Sequence, residues 1–312
     1  MEIKYINRKT KKIQSESPPA EGLLKFLYDN PFGNTAILPL VKRKLISAFY
    51  GRIMDKPSSS EKIEKFVNKL GIDMSESQKN ITEFKSFNDF FYRKLKTTAR
   101  PISKGFVSPG DGRLLAFENI MDLQNFFVKG RGFTLTDFLN DKETAKKHEN
   151  DSLIILRLAP NDYHRYHFPT DGNVSKTKKI KGSYFSVSPY ALVGNFTKVF
   201  CENKREYVTL FSKEKGEIIL APVGATMVGS IFESFTPNTN VKKGDEMGYF
   251  AFGGSTIVIL VDKTKIKIDA DLLENTKNKM ESYVKMGETI NSCEQCLRIL
   301  YWEETKESAV SK

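Results

Sequence analysis

The sequence predicts an α+β fold in which N-terminal amphipathic helices precede a mainly antiparallel β core. Two observations carry this reading. Before about residue 100, apolar residues recur at three- and four-residue spacing, as on one face of a helix. Beyond Pro101 the pattern shortens to runs rich in Val, Ile, Leu and Phe, bounded by Gly, Pro, Asn or Asp, with few helices between them.

The helical spacing covers residues 21–28, 40–54, 61–70 and 86–94. Pro39 suits the first turn of the second helix, where its missing N–H costs nothing, and Ser59 and Ser60 are plausible caps for the third. Strands are expected at 113–117, 152–158, 196–202, 206–211, 217–223 and 255–261, with helices at 133–139 and 272–283. The chain therefore divides into a helical region over 1–100 and a β-rich domain over 101–312. No repeat of solenoid period is present, and the polar tail 303–312 is expected to fray.

A net charge of +11 calls for an anionic partner, either nucleic acid or an acidic membrane surface. No aromatic-basic motif or zinc finger supports nucleic acid. No run reaches the roughly 18 to 20 apolar residues that span a bilayer, and the best, 218–232, is interrupted by Pro222, Gly224 and Gly229. The N-terminus has no apolar signal core, so a cytoplasmic protein without a transmembrane helix is expected. Cys201, Cys293 and Cys296 are too few for a disulfide framework, and Cys293 and Cys296, in a C-x-x-C spacing, read as incidental thiols. No metal site is expected.

Residues 40–54 interleave Lys42, Arg43, Lys44 and Arg52 with Leu40, Val41, Leu45, Ile46 and Phe49. Such a helix can lie in a membrane interface with its cations against anionic headgroups, or it can simply pack on the β domain. The residue pattern leaves both open.

Three features carry chemistry. His164 and His167 fall in Asp162-Tyr163-His164-Arg165-Tyr166-His167-Phe168-Pro169, where Pro169 disfavours a helix and a loop leaving the strand at 152–158 fits best. Asp111 lies between Gly110 and Gly112, in a turn by composition. Ser255 follows Gly253 and Gly254, whose lack of a Cβ tolerates strained backbone and lets a hydroxyl approach the Gly254 carbonyl. Carboxylate, imidazole and hydroxyl together can activate a nucleophile. An Asp-His-Ser hydrolase fits these residues as well as a self-cleaving chain does.

The order of the motifs adds to this. Ser108-Pro109-Gly110-Asp111-Gly112, then D-Y-H-R-x-H-x-P, then Pro222-Val223-Gly224-Ala225-Thr226-Met227-Val228-Gly229-Ser230, then Gly253-Gly254-Ser255-Thr256 resemble the motifs of phosphatidylserine decarboxylases. Phe87-Asn88-Asp89-Phe90-Phe91, Arg100-Pro101-Ile102 and Tyr283-Val284-Lys285-Met286-Gly287-Glu288 extend the resemblance over roughly residues 85 to 290. Gly110 stands where many relatives have a larger residue, and Gly253 places the chain with the G-G-S-T branch.

The resemblance implies a proenzyme that cleaves itself at Gly254-Ser255 into a β chain of 1–254 and an α chain of 255–312, which stay together as a heterodimer. Ser255 would become a covalent pyruvoyl cofactor. The self-cleavage triad maps onto Asp111, His167 and Ser255, with His167 oriented by Asp111, while His164 maps onto the histidine used in decarboxylation. In turnover the pyruvoyl group would form a Schiff base with phosphatidylserine, release carbon dioxide and yield phosphatidylethanolamine. A bilayer substrate favours the interfacial reading of 40–54 and a peripheral place on the cytoplasmic face of the cell membrane. The resemblance leaves further dimerisation open, and a pyruvoyl decarboxylase of a soluble amine is the alternative within the same chemistry. Asn203 and Arg205 could contact a phosphate or carboxylate, but are expected on the solvated surface.

Overall fold

A computed structural model describes residues 3–16, 22, 30, 51–120, 122–123, 133–183, 200–224, 231–253 and 255–291. The expected helix at 21–28 lies outside the described residues, apart from residue 22, as do 40–50, 196–199, Gly254, Cys293, Cys296 and the tail.

The chain opens with an antiparallel hairpin, β1 (Ile3–Asn7) and β2 (Ile13–Glu16), which corrects the expectation that the first hundred residues are helical. A turn with Lys11 at φ 57° closes it. Helical segments follow: residues 51–55, a 3₁₀ turn at Pro57–Lys62, α1 (Ile63–Leu70) and α2 (Phe87–Phe91). The N–H of Asp89 donates to Ser86 Oγ and so caps α2, and Gly71 at φ 61° ends α1 in the left-handed conformation that a glycine adopts without a Cβ penalty. Met54, Ile63, Val67, Phe84, Phe87, Phe90 and Phe91 pack into one buried cluster here, with Phe252 against its rim.

The β domain contains β3 (Gly112–Phe117), then α3 (Leu135–Leu139) and α4 (Lys142–Lys147), then β4 (Ser152–Leu158), β5 (Arg165–His167), β6 (Gly172–Val174), β7 (Lys178–Ile180), β8 (Arg205–Ser212), β9 (Gly216–Gly224), β10 (Ile231–Glu233), β11 (Thr239–Val241), β12 (Glu246–Phe250), β13 (Ser255–Val261), α5 (Ala270–Lys277) and β14 (Glu281–Val284). The large sheet runs β11-β6-β8-β9-β13-β4-β3-β14-β1-β2, with β7 also on β8, and β10-β12-β5 form a second sheet. Among the named strands only the β1–β14 pairing is parallel.

β4 and β13 are central strands buried on both faces, which is why they read as unbroken apolar runs. On one face Leu114, Leu156, Ile257 and Ile259 join Tyr166 and Phe250 of the small sheet; on the other Leu115, Ile155, Val258 and Leu260 meet α3. Two further expectations are corrected. Residues 200–202 are helical, and the helix expected over 272–283 ends at Lys277 because Lys279 turns the chain at φ 58°, freeing Glu281–Val284 to pair with β3.

Candidate active site

Sheet register brings the chemistry to one end of the large sheet. Ser255, the first residue of β13, lies between Leu158, the last of β4, and Gly224, the last of β9. The chain leaving β4 therefore starts beside Ser255 and carries His164 and His167. Asp111 precedes β3 at that same end, where Arg113 is opposite Arg157. At Gly112 a Cβ would sit 2.6 Å from the Arg157 carbonyl oxygen, so only glycine lets the turn approach β4 this closely. Gly110, by contrast, has room for a Cβ, which would lie 3.5 Å from the Leu156 side chain in ordinary contact.

Ser255 is fully buried, and its Oγ has no hydrogen-bond partner among the described residues; the same holds for Thr256 Oγ1 and His164 Nε2. Buried polar atoms are rarely left so, and each exception calls for an explanation.

His164 is fully buried, with its ring centroid 3.9 Å from that of Phe91. Burial pushes its pKa down to about 3, opposed by the hydrogen bond from Nδ1 to the Asp162 carbonyl and aided by Arg93 and Arg113. It is a neutral imidazole whose Nε2 carries the lone pair. His167 lies on β5 rather than in a loop. Its Nδ1–H donates to the Gly244 carbonyl at 2.9 Å, so Nε2 is the acceptor and receives the Tyr163 hydroxyl at 3.2 Å. Burial again lowers the pKa, while Gly244, Glu246 and Asp111 raise it.

The Asp111 turn and β5 are adjacent, since the His167 N–H donates to the Pro109 carbonyl at 2.7 Å. The side chains, however, bond elsewhere. Asp111 accepts from Arg100 through Nε at 2.9 Å and through the terminal nitrogen at 2.5 Å, and from the Met286 N–H at 2.8 Å. The expected direct orientation of His167 by Asp111 is therefore corrected: Gly244 and Tyr163 set the ring, and Asp111 acts on it through its field.

A second carboxylate at this end was not singled out from the sequence. Asp162 is buried, ion-paired with Arg113 and accepts from the Ala159 N–H at 2.7 Å, which folds the segment leading to His164. Arg113 in turn stacks on Tyr5 and Tyr283 and pairs with Glu16. Asn203 and Arg205, expected on the surface, are buried. Asn203 donates to the Gly224 carbonyl beside Ser255, and Arg205 donates to the carbonyls of Phe138, Asp137, Cys201 and Asn203. Among the described residues no group of three or more His, Cys, Asp or Glu side chains could hold a metal ion.

The family model for phosphatidylserine decarboxylase matches residues 87–292, which include every one of these groups except Tyr5 and Glu16. The chain belongs to the phosphatidylserine decarboxylase family. It is 53% identical to a phosphatidylserine decarboxylase proenzyme of Fusobacterium nucleatum subsp. nucleatum, over 92% of this chain and 96% of that protein. Proteins of the same name from Desulfitobacterium hafniense and Clostridium perfringens are 47% and 46% identical, each over 92% of this chain and 97% and 99% of their own. For a phosphatidylserine decarboxylase family member, the residues that sequence reasoning left without a role are Arg100, Asp162 and Tyr163. Each lies within a motif that carried the resemblance, so the signal was present in the sequence but their partners were not.

Proposed function

We propose that this chain is a phosphatidylserine decarboxylase made as a proenzyme, cut between Gly254 and Ser255 into 1–254 and 255–312, with Ser255 becoming a pyruvoyl group. The observation that carries this is the Ser255 hydroxyl, buried at the head of β13 with no partner among the described residues, in a member of this family. His164 Nε2, at the same sheet end, also lacks a hydrogen-bond partner among the described residues.

In this reading Nε2 of His167 takes the Ser255 proton, and the serine oxygen attacks the Gly254 carbonyl carbon. The C–N bond breaks as the ester forms, and the nitrogen takes up the proton to become a free amine. Elimination releases Gly254 as a carboxylate and leaves a dehydroalanine, whose imine tautomer consumes water and gives up ammonia. The ketone so formed supplies the electron sink for loss of carbon dioxide. Return of a proton to the substrate carbon is the step assigned to His164, through Nε2.

The substrate is phosphatidylserine in an anionic membrane, which suits the +11 charge and the basic spacing of 40–54. No helix among the described residues is long and apolar enough to cross a membrane, and a peripheral place on the cytoplasmic face agrees with that. Intact mass of purified wild type beside Ser255→Ala tests the reading. Wild type is expected as two chains with the 255–312 chain blocked at its amino terminus, and Ser255→Ala as one. An uncut wild type whose Ser255 is labelled by an acylating reagent would instead identify a hydrolase.

A further inference from the structure

Asn88 is 2% exposed and is a poor helix former placed inside α2, so its side chain rather than its backbone accounts for its position. Its amide Nδ2 donates to Asp55 Oδ1 at 2.7 Å and to the Gly51 carbonyl at 3.4 Å. Both partners can only accept, which fixes the amide orientation and turns Oδ1 toward the Phe252 N–H, 3.0 Å away. Phe252 stands two residues before Gly254. Its ring is caged by Phe87 at 5.0 Å, Phe91 at 4.9 Å and Phe66 at 6.3 Å between centroids.

The residues on either side explain why such an anchor matters. Gly253 has φ 142°, a conformation that only glycine adopts without strain, and a Gly-Gly pair does nothing to restrict its own geometry. Upstream, the Phe250 N–H is held by the His164 carbonyl at 3.0 Å, and downstream Ser255 is locked into the sheet. Phe252 is the support between them, and Asn88 is what holds its backbone.

We propose that Asn88 is a positioning residue for self-cleavage, clamping Phe252 and so fixing the backbone that leads into the scissile bond before Ser255. The inference rests on the self-cleavage reading above. Placement of reacting atoms within a narrow range is worth large rate factors, so loss of the clamp is expected to slow cleavage without abolishing it.

The test exchanges the two side chains. Cleavage of freshly synthesised full-length chain is followed by gel and intact mass for wild type, Asn88→Ala, Asn88→Asp and the double variant Asn88→Asp with Asp55→Asn; thermal unfolding of each is measured on Ser255→Ala. Asn88→Ala and Asn88→Asp are expected to cleave about tenfold more slowly or worse, the latter because two carboxylates then face each other. The double variant restores a donor at position 55 and an acceptor for the Phe252 N–H, and should return to within about threefold of wild type. A purely structural role would move the unfolding temperature in step with the rate and would not be rescued by the exchange. Asn88→Ala cleaving at the wild-type rate, or an exchange as slow as Asn88→Ala, would overturn the proposal while leaving self-cleavage intact. A wild type that stays uncut would overturn both.

Discussion

The Tyr163 hydroxyl donates to Nε2 of His167 across 3.2 Å, and the other ring nitrogen is committed to the Gly244 carbonyl. The one lone pair with which His167 can act as a base is thus already hydrogen-bonded. A donor at that nitrogen favours the neutral ring. Tyr163→Phe should therefore raise the His167 pKa, and the acid limb of a plot of self-cleavage rate against pH should move to higher pH. An unchanged limb would show that the ring is not the base.

The two histidines should separate in their phenotypes. His167→Ala and Asp111→Asn are expected to accumulate uncut chain, whereas His164→Ala should cut and turn over poorly, as read by gel and by carbon dioxide release from phosphatidylserine vesicles. The reverse pattern would overturn the assignment of roles.

Arg100 holds Asp111 by two nitrogens and reaches Glu76 at 2.8 Å, which in turn meets Lys285 at 2.9 Å. Arg100→Met leaves the Asp111 carboxylate buried without its cation. Removing one member of a buried pair costs about 3 to 5 kcal/mol. Urea unfolding of the Ser255→Ala form, with and without Arg100→Met, measures this. Arg100→Lys should recover only part of the loss, because an ammonium cannot reproduce the guanidinium fork.

Burial that holds His164 near a pKa of about 3 makes the folded protein sensitive to acid. The unfolded chain binds this proton near pH 6.5 and the folded chain does not, so the stability from a neutral His164 is complete above about 6.5 and falls as pH drops toward 3. On Ser255→Ala, the fall in unfolding temperature between pH 7 and pH 4.5 should shrink when His164→Asn is added.

Glu16 of β2 is buried, yet Arg157 at 3.0 Å and Arg113 at 2.9 Å outweigh that burial and hold its pKa down to about 2. Its contribution is present above about pH 4.5 and is lost as pH falls toward 2. Glu16→Gln should cost on the order of 3 kcal/mol at pH 7, and the difference from wild type should close as pH falls through that window. Equal unfolding midpoints at pH 7 would show that the hairpin is not anchored through this residue.

The parts of this fold that were legible in the sequence are those whose signal is local. β4 and β13 announced themselves as apolar runs because both faces are covered, whereas Ser59 and Ser60, expected to cap the helix over 61–70, lie inside the 3₁₀ turn and donate to the carbonyls of Met54, Lys56 and Pro57 instead. The hairpin of 3–16 was not legible, because its strands are only half covered and owe their place to pairing with β14, about 270 residues away in the chain. Arg205 and Asn203 misled for a related reason: a charged or amide side chain reads as surface unless the carbonyls that receive its hydrogens are known.

By itself, the sequence determined which residues could do chemistry here, because Asp111, His164, His167 and Ser255 each stand in a motif whose spacing is local and whose order is shared with a family. Their partners were decided only in the tertiary structure. Arg100 rather than His167 meets Asp111, a backbone carbonyl and Tyr163 rather than a carboxylate orient His167, and the Ser255 hydroxyl has no partner among the described residues at the head of a buried strand. Side-chain identity and spacing are inherited along the chain, but a hydrogen bond needs two groups within about 3 Å, and that distance is set by sheet register and packing across the whole domain.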